Sequence, residues 1–288
     1  MIVRGDIQQQ RLTLLASILL WEGRLNNGRL RELFDLSSVR ASEWIREFRE
    51  KHPDWTEWNS KTRSYHATMK AYRSDASGDQ RKQSDATSLS QYLGLVGIPH
   101  SVIEPSQSRA IWAAFPDLSV PSPRTFALVS EAIRERRTLQ ITYRSMREPA
   151  PHQRIIAPHS LIRAGRRWHL RAFSSTNQDF RDYALGRVER VERLDSPAER
   201  TDKDDRAWMT KVPVRLVAHP DLTPEQEALI RFEYFNNTAA RVDTCRGALV
   251  SYFIQDVRAA LDPAKQRPPD FQLAVANIEE VRPWLFPS

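Results

Sequence analysis

The stretch Arg166–Phe173, RRWHLRAF, lines up residue types that can hold an anion. On a strand, side chains alternate, so Trp168, Leu170 and Ala172 share one face while Arg167, His169, Arg171 and Phe173 share the other. Arginine stays charged and its fork matches phosphate bidentately, and histidine donates when protonated. Arg154, Arg181 and Arg187 lie in neighbouring strand-like segments, and Tyr143 or Phe173 could stack on a base. On this reading Trp168 and Leu170 anchor the strand in a core so that His169 and Arg171 present a preset anion site. The alternative is a solvated face whose arginines are paired by Asp179, Asp182, Glu189 and Glu192. Ser145, His159 and Ser160 are weaker candidates, each equally suited to a turn or an edge, and His159 equally suited to satisfying a backbone carbonyl.

A second set sits near the start of the chain. After a turn, DLSS, whose Ser37 or Ser38 can cap a helix, the segment from Val39 to about Glu50 carries Ala41, Trp44, Ile45 and Phe48 at helical spacing. Ser38, Arg40, Ser42, Glu43, Arg46 and Arg49 are left outside, where arginine can reach guanine edges or phosphates. The following WTEWNSKTRSYHA reads as a β-hairpin whose polar tip places Lys61 and Arg63 as phosphate contacts. The alternative is a small helical bundle with a solvated basic face.

These sets need elements to position them. Residues 10–22 show a helix stripe through Leu12, Leu15, Ile18, Leu19 and Trp21, ended by Gly23; Asn26 or Asn27 caps a short helix over Arg29–Phe34. Helix, turn, helix and hairpin together predict a winged helix-turn-helix, with Asp35 at the turn position usually given to glycine. Residues 73–91 read as a linker, and FPDLSVPSPR (115–124) as a second boundary. A helix over Arg124–Arg137 leads into LQITYRS and then strands at Gln153–Ala157, His159–Ala164, Arg166–Phe173, Phe180–Ala184 and Arg187–Leu194, which suggest a small closed β-barrel. The polar SPAERTDKDDR closes that region. Beyond it come a strand over 212–219, a helix capped by Thr223 with Pro224 at its first position, a strand around Ala240–Thr244, a helix with Leu249, Val250, Phe253, Val257, Ala260 and Leu261 on its apolar side, and a strand near Phe271–Val275. Asp221, Glu233 and Asp243 read as surface carboxylates.

With 288 residues, two or three domains are expected, each with a core of its own. The net charge of +7 favours polyanionic partners, nucleic acid first. One cysteine, Cys245, excludes an internal disulfide framework and a thiol cluster for zinc, which suits a reducing cytosol, and Cys245 itself reads as a small core residue. No apolar run approaches a membrane span, so a cytoplasmic protein is expected, with no membrane partner. There is no phosphate loop, no dinucleotide fingerprint, no HExxH and no CxxC, and the seven histidines lack ligand spacing, so no catalytic residue, cofactor or metal is assigned.

The order Tyr143, Arg154, IAPHSL with Pro158, Gly165 before Trp168-His169-Leu170, Phe180-Arg181-Asp182-Tyr183 and Gly186-Arg187-Val188 resembles the WYL domain, with His169 where the family name has tyrosine. APHSL, RWHLRAF and FRDYALGRV are similar to the WYL repressors found beside phage-defence systems such as BREX and CBASS, and the first zone resembles the winged helices of bacterial transcription regulators. The resemblance spans nearly the whole chain. It implies an α+β multidomain protein: a winged helix-turn-helix (1–75), a linker with connecting helices (76–123), an Sm-like small β-barrel acting as sensor (124–198) and a C-terminal α+β extension for dimer contacts (199–288). The implied function is a homodimeric repressor of a phage-defence operon. It would bind an inverted-repeat operator in double-stranded DNA through Ser38, Arg40, Ser42, Arg46, Lys61 and Arg63. A nucleotide or oligonucleotide effector held by Tyr143, Ser145, Arg154, His159, His169, Arg171, Arg181 and Arg187 would relieve it. The alternative is a nucleic-acid-sensing accessory subunit that controls a partner enzyme.

Overall fold

Local capping chemistry sets the first unit. A computed structural model describes residues 4–76, 89–96, 119–165 and 167–286. Helix α1 (Arg4–Glu22) stops at Gly23, whose φ of +75° admits glycine readily. The Asn26 side chain accepts from the Arg29 N–H to start α2 (Asn27–Phe34), and the Ser37 hydroxyl accepts from the Arg40 N–H to start α3 (Ser38–Lys51). Between them Asp35 sits in the left-handed region at φ 50°, a conformation Asp tolerates better than most residues. Strands β1 (Arg24–Leu25), β2 (Thr56–Asn59) and β3 (Ser64–Ala67) form a sheet in the order β1-β3-β2, so the predicted hairpin gains a third strand from the residues just after α1. Helices α4 (Met69–Ala76) and α5 (Leu89–Leu95) follow; most of the expected 76–123 linker lies outside the described residues.

Helix α6 (Pro123–Glu135), capped by Ser122, leads to β4 (Arg137–Tyr143), β5 (His152–Ala164), β6 (Arg167–Ser174), β7 (Asp179–Ala184) and β8 (Val188–Pro197). Their order is β7-β6-β5-β4-β8, every neighbour antiparallel. The two strands predicted over 153–157 and 159–164 are one strand, β5. Its register shifts between Pro158 and Ser160, where proline has no N–H to give the ladder. The first half of β5 pairs with β4 and the second with β6, which turns the sheet toward a barrel. The end strands β7 and β8 are joined by a 3-10 turn, Leu185–Arg187, and no pairing closes the sheet between them.

The third unit places β9 (Lys211–Ala218), β10 (Arg241–Arg246), β11 (Ala259–Ala260) and β12 (Leu273–Val275) in the order β10-β9-β12-β11, with α7 (Arg206–Met209), α8 (Pro224–Tyr234), α9 (Val250–Asp256) and α10 (Ile278–Val281) around it. The helix predicted to run through Ala260 and Leu261 ends at Asp256, because Ala259 and Ala260 pair in parallel with Leu273 and Ala274. Cys245, on the edge strand β10, is half-buried and packs against the core of this unit.

Among the described residues two cores result, not three. One holds Val212, Val214, Leu216, Ile230 and Ile254 of the third unit; the other runs without a break from the winged helix through α6 into the sheet. Its spine is a file of rings: Trp168 on β6 meets Phe126 on α6 at 5.3 Å, and Phe126 meets Trp21 on α1 at 5.5 Å. This explains why α1 is buried on every side from Leu15 to Glu22 instead of along one stripe: α5 and α6 cover what the winged helix leaves bare.

Candidate nucleic-acid interface and ligand cleft

The buried residues of α3 are Ala41, Ile45 and Phe48, which turns Ser38, Arg40, Ser42, Arg46 and Arg49 to solvent. Asn27 holds this face against α2, its amide donating to the Ser38 carbonyl at 2.6 Å and to the Ser42 hydroxyl at 2.8 Å. Arg40 pairs with Glu43 at 3.1 Å and Arg46 with Glu50 at 3.8 Å, exposed i,i+3 and i,i+4 contacts worth about 1 kcal/mol at most, so both arginines can change partner. Between α3 and the hairpin runs a groove of 270 Å³ lined by Ser42, Arg46, Arg49, Trp58, Arg63 and Tyr65 among others. Arg49 is posed there by Tyr65, whose hydroxyl it meets at 3.0 Å and over whose ring it lies at 4.3 Å. Lys61 and Arg63 are exposed at the hairpin tip, where the Asn59 side chain accepts from the Lys61 N–H. The structure therefore gathers Ser42, Arg46 and Arg63 along one groove, with Ser38 and Arg40 at the start of the same helix. Trp58 and Tyr65 join them, and nothing in their spacing marked them as more than strand residues.

The second site is a cleft of 580 Å³ where the β6–β7 face meets the third unit. Of the predicted ligand residues, Tyr143, His169, Arg171, Arg181 and Arg187 line it, joined by Arg167. Arg167, Arg181 and Arg187 make no ion pair among the described residues. Burial, then Arg167 and Arg187, push the His169 imidazole below its usual 6.5 against the pull of Asp182, so it is neutral at physiological pH. Its Nδ1 lies 3.3 Å from the hydroxyl of Tyr252 on α9, and that hydroxyl donates to Asp182 at 3.1 Å. Burial and the Asp182 charge hold the Tyr252 phenol well above its ordinary value, so it remains a donor.

Arg171 behaves differently from the expectation of an open anion site. Its Nε and Nη2 bind the two oxygens of Asp205 at 2.5 and 3.1 Å, and its Nη1 binds Asp182 at 3.0 Å. Burial works against its charge and the two carboxylates outweigh it, raising its pKa. Burial likewise opposes the Asp205 charge, but hydrogen bonds from His159 and Arg171 hold that carboxyl well below the ordinary carboxylate range. Asp182 was among the foreseen partners; Asp205 was not, because it lies in the polar stretch read as a boundary, and no local pattern ties it to β6.

Tyr143 and the remaining candidates are otherwise engaged. Tyr143 is buried, with its hydroxyl accepting from the Ala184 N–H at 3.2 Å, and Phe173 is buried edge-on against Phe180 at 5.4 Å, so neither presents a ring face to a base. Ser145 accepts from the Glu148 N–H in the β4–β5 turn, and Arg154 pairs with Glu148 at 2.6 Å. His159 contacts Asp205 at 3.2 Å and the Ser160 hydroxyl at 2.9 Å, packed edge-on to Phe180 and Trp208. None of these three lines the cleft. Among the described residues no group of His, Cys, Asp or Glu converges as a metal site.

Three family models match successive parts of the chain. Residues 7–81 match the BrxR transcriptional regulator winged helix-turn-helix domain, residues 124–193 the WYL domain, and residues 211–281 the BrxR transcriptional regulator C-terminal dimerization domain. The DNA-binding transcriptional repressor CapW of Pseudomonas aeruginosa is 31% identical over 278 residues, covering 96% of this chain and 91% of that one. The chain belongs to the CapW family of transcriptional repressors. CapW repressors from Stenotrophomonas maltophilia and Escherichia coli are 29% and 28% identical, over 92% and 90% of their lengths. In CapW-family terms the groove between α3 and the hairpin lies in the winged helix, and the cleft lies where the WYL domain meets the dimerization domain.

Proposed function

We propose that this protein is a homodimeric, cytoplasmic repressor of a phage-defence operon, acting by binding rather than by catalysis. Each winged helix reads one half of an inverted repeat through Ser38, Arg40, Ser42 and Arg46, while Lys61 and Arg63 hold the backbone. A nucleotide or oligonucleotide in the cleft on the WYL sheet lowers the affinity for the operator by favouring a second arrangement of the dimer. The observation that carries this reading is the trio Arg167, Arg181 and Arg187, without ion-pair partners among the described residues, in a cleft bounded by the domain matched to dimerization. Arg167 and Arg181 are exposed and Arg187 half-buried, so their forks are free to take an anion without breaking an existing ion pair. The shared core of winged helix and sheet supports a rigid connection between reader and sensor.

The test is a gel-shift titration of the upstream region of the gene at fixed salt, with and without short single-stranded oligonucleotides. Specific binding to a palindrome that is weakened by oligonucleotide and lost in Arg40→Ala/Arg46→Ala is the expected result. Specific binding indifferent to every nucleotide would remove the sensor; no specific binding at all would favour an accessory subunit that controls a partner enzyme.

A further inference from the structure

The residues foreseen to stack on a base, Tyr143 and Phe173, are both buried, and Phe180, a further sheet aromatic at the cleft, is engaged edge-to-face with Phe173 at 5.4 Å and His159 at 5.5 Å. Aromatic faces come from the opposite wall. Phe286 lines the cleft and is 43% exposed, and its ring stands edge-on to Tyr252 at 4.8 Å. The segment carrying Phe286 is fastened: its N–H donates to the buried Ser251 hydroxyl of α9 at 2.8 Å, and two residues earlier Trp284 lies against Gly247 so closely that a Cβ there would come within 2.4 Å of the indole. Tyr252 is fixed in turn by Asp182 and His169. An exposed ring held this firmly loses little entropy on binding.

We propose that Phe286, supported by Tyr252, is the base seat of the cleft, opposite a phosphate held by Arg167 and Arg187. The ligand class is then a phosphate that carries a nucleobase, bridging the WYL sheet to the C-terminal domain. This rests on the nucleotide reading above and assigns the selectivity for the base to the C-terminal domain. The volume agrees: 580 Å³ falls within the range of small-molecule sites, roughly 300–1,000 Å³, and suits one or two nucleotides rather than a duplex. The bridge also supplies a differential contact, because a base on Phe286 touches the C-terminal domain while its phosphate touches the sheet.

The experiment is a calorimetric titration of the full-length protein with a 5′-phosphorylated dinucleotide, a mononucleotide and ribose 5-phosphate. Base stacking is worth about 1–3 kcal/mol, so the dinucleotide should bind about 5- to 150-fold tighter than ribose 5-phosphate. Phe286→Ala should bring that ratio close to one, Phe286→Trp should keep it, and Arg187→Ala should weaken all three ligands together. A mononucleotide as tight as the dinucleotide marks a free nucleotide as the source; a weaker one marks an oligonucleotide end. A ratio unchanged in Phe286→Ala, with Arg187→Ala still weakening every ligand, overturns the base seat and leaves the phosphate site standing. Binding of none of the three by the wild type overturns the nucleotide reading and the seat with it.

Discussion

Arg171 and Asp205, thirty-four positions apart, meet through two parallel hydrogen bonds of 2.5 and 3.1 Å, with Asp182 taking the third side of the guanidinium. The Asp205 carboxylate also caps α7 by accepting from the Trp208 N–H at 3.1 Å. One carboxylate therefore ties β6 to the segment that leads into the C-terminal unit.

Removing one partner of this buried pair strands a charge. Asp205→Ala should cost about 3–5 kcal/mol in urea unfolding, and Arg171→Met with Asp205→Leu together should cost less than either alone. Equal, additive losses would mean that the two side chains are not energetically coupled.

The same pair sets an acid limit. The folded Asp205 carboxyl lies below its ordinary 3.8, so its contribution is complete above that value and is lost as the pH falls toward its folded pKa. Wild-type Tm should drop on acidification below about pH 4 more steeply than the Tm of Asp205→Asn.

His169 faces Asp182, Arg167, Arg187 and the Tyr252 hydroxyl, and its folded pKa is below 6.5. An anion beside Arg167 and Arg187 offsets their repulsion and favours protonation. Affinity for a dinucleotide joined by a phosphodiester should therefore rise between pH 8 and 6, with proton uptake, and His169→Asn should flatten that slope. An equal slope in the variant would place the proton elsewhere.

On the DNA side, base-reading and backbone contacts separate by salt. Arg46→Ala should lower operator affinity by about 1–3 kcal/mol and relax one base position, whereas Lys61→Ala should weaken all sequences alike and reduce the salt slope by about one. Ser37→Ala, which removes the cap of α3, should cost about 1 kcal/mol of stability while leaving the salt slope unchanged.

What the sequence determined alone is local. The cap at Thr223, the caps at Asn26 and Ser37 to within one residue, the outward face of α3, and the alternation that buries Trp168 and Leu170 follow from side-chain chemistry within a few residues, and each was legible. So was the family, through runs such as RWHLRAF and FRDYALGRV. The tertiary structure decided which charges are free. Arg171 and Arg187 look alike in the chain, yet Asp205 and Asp182 claim the first and no described carboxylate claims the second. Arg154 fell to Glu148 in the same way. The wall bearing Tyr252 and Phe286 was invisible for the same reason: an ion pair or a cleft joins residues by distance in space, and periodicity records only which way each side chain points from its own backbone.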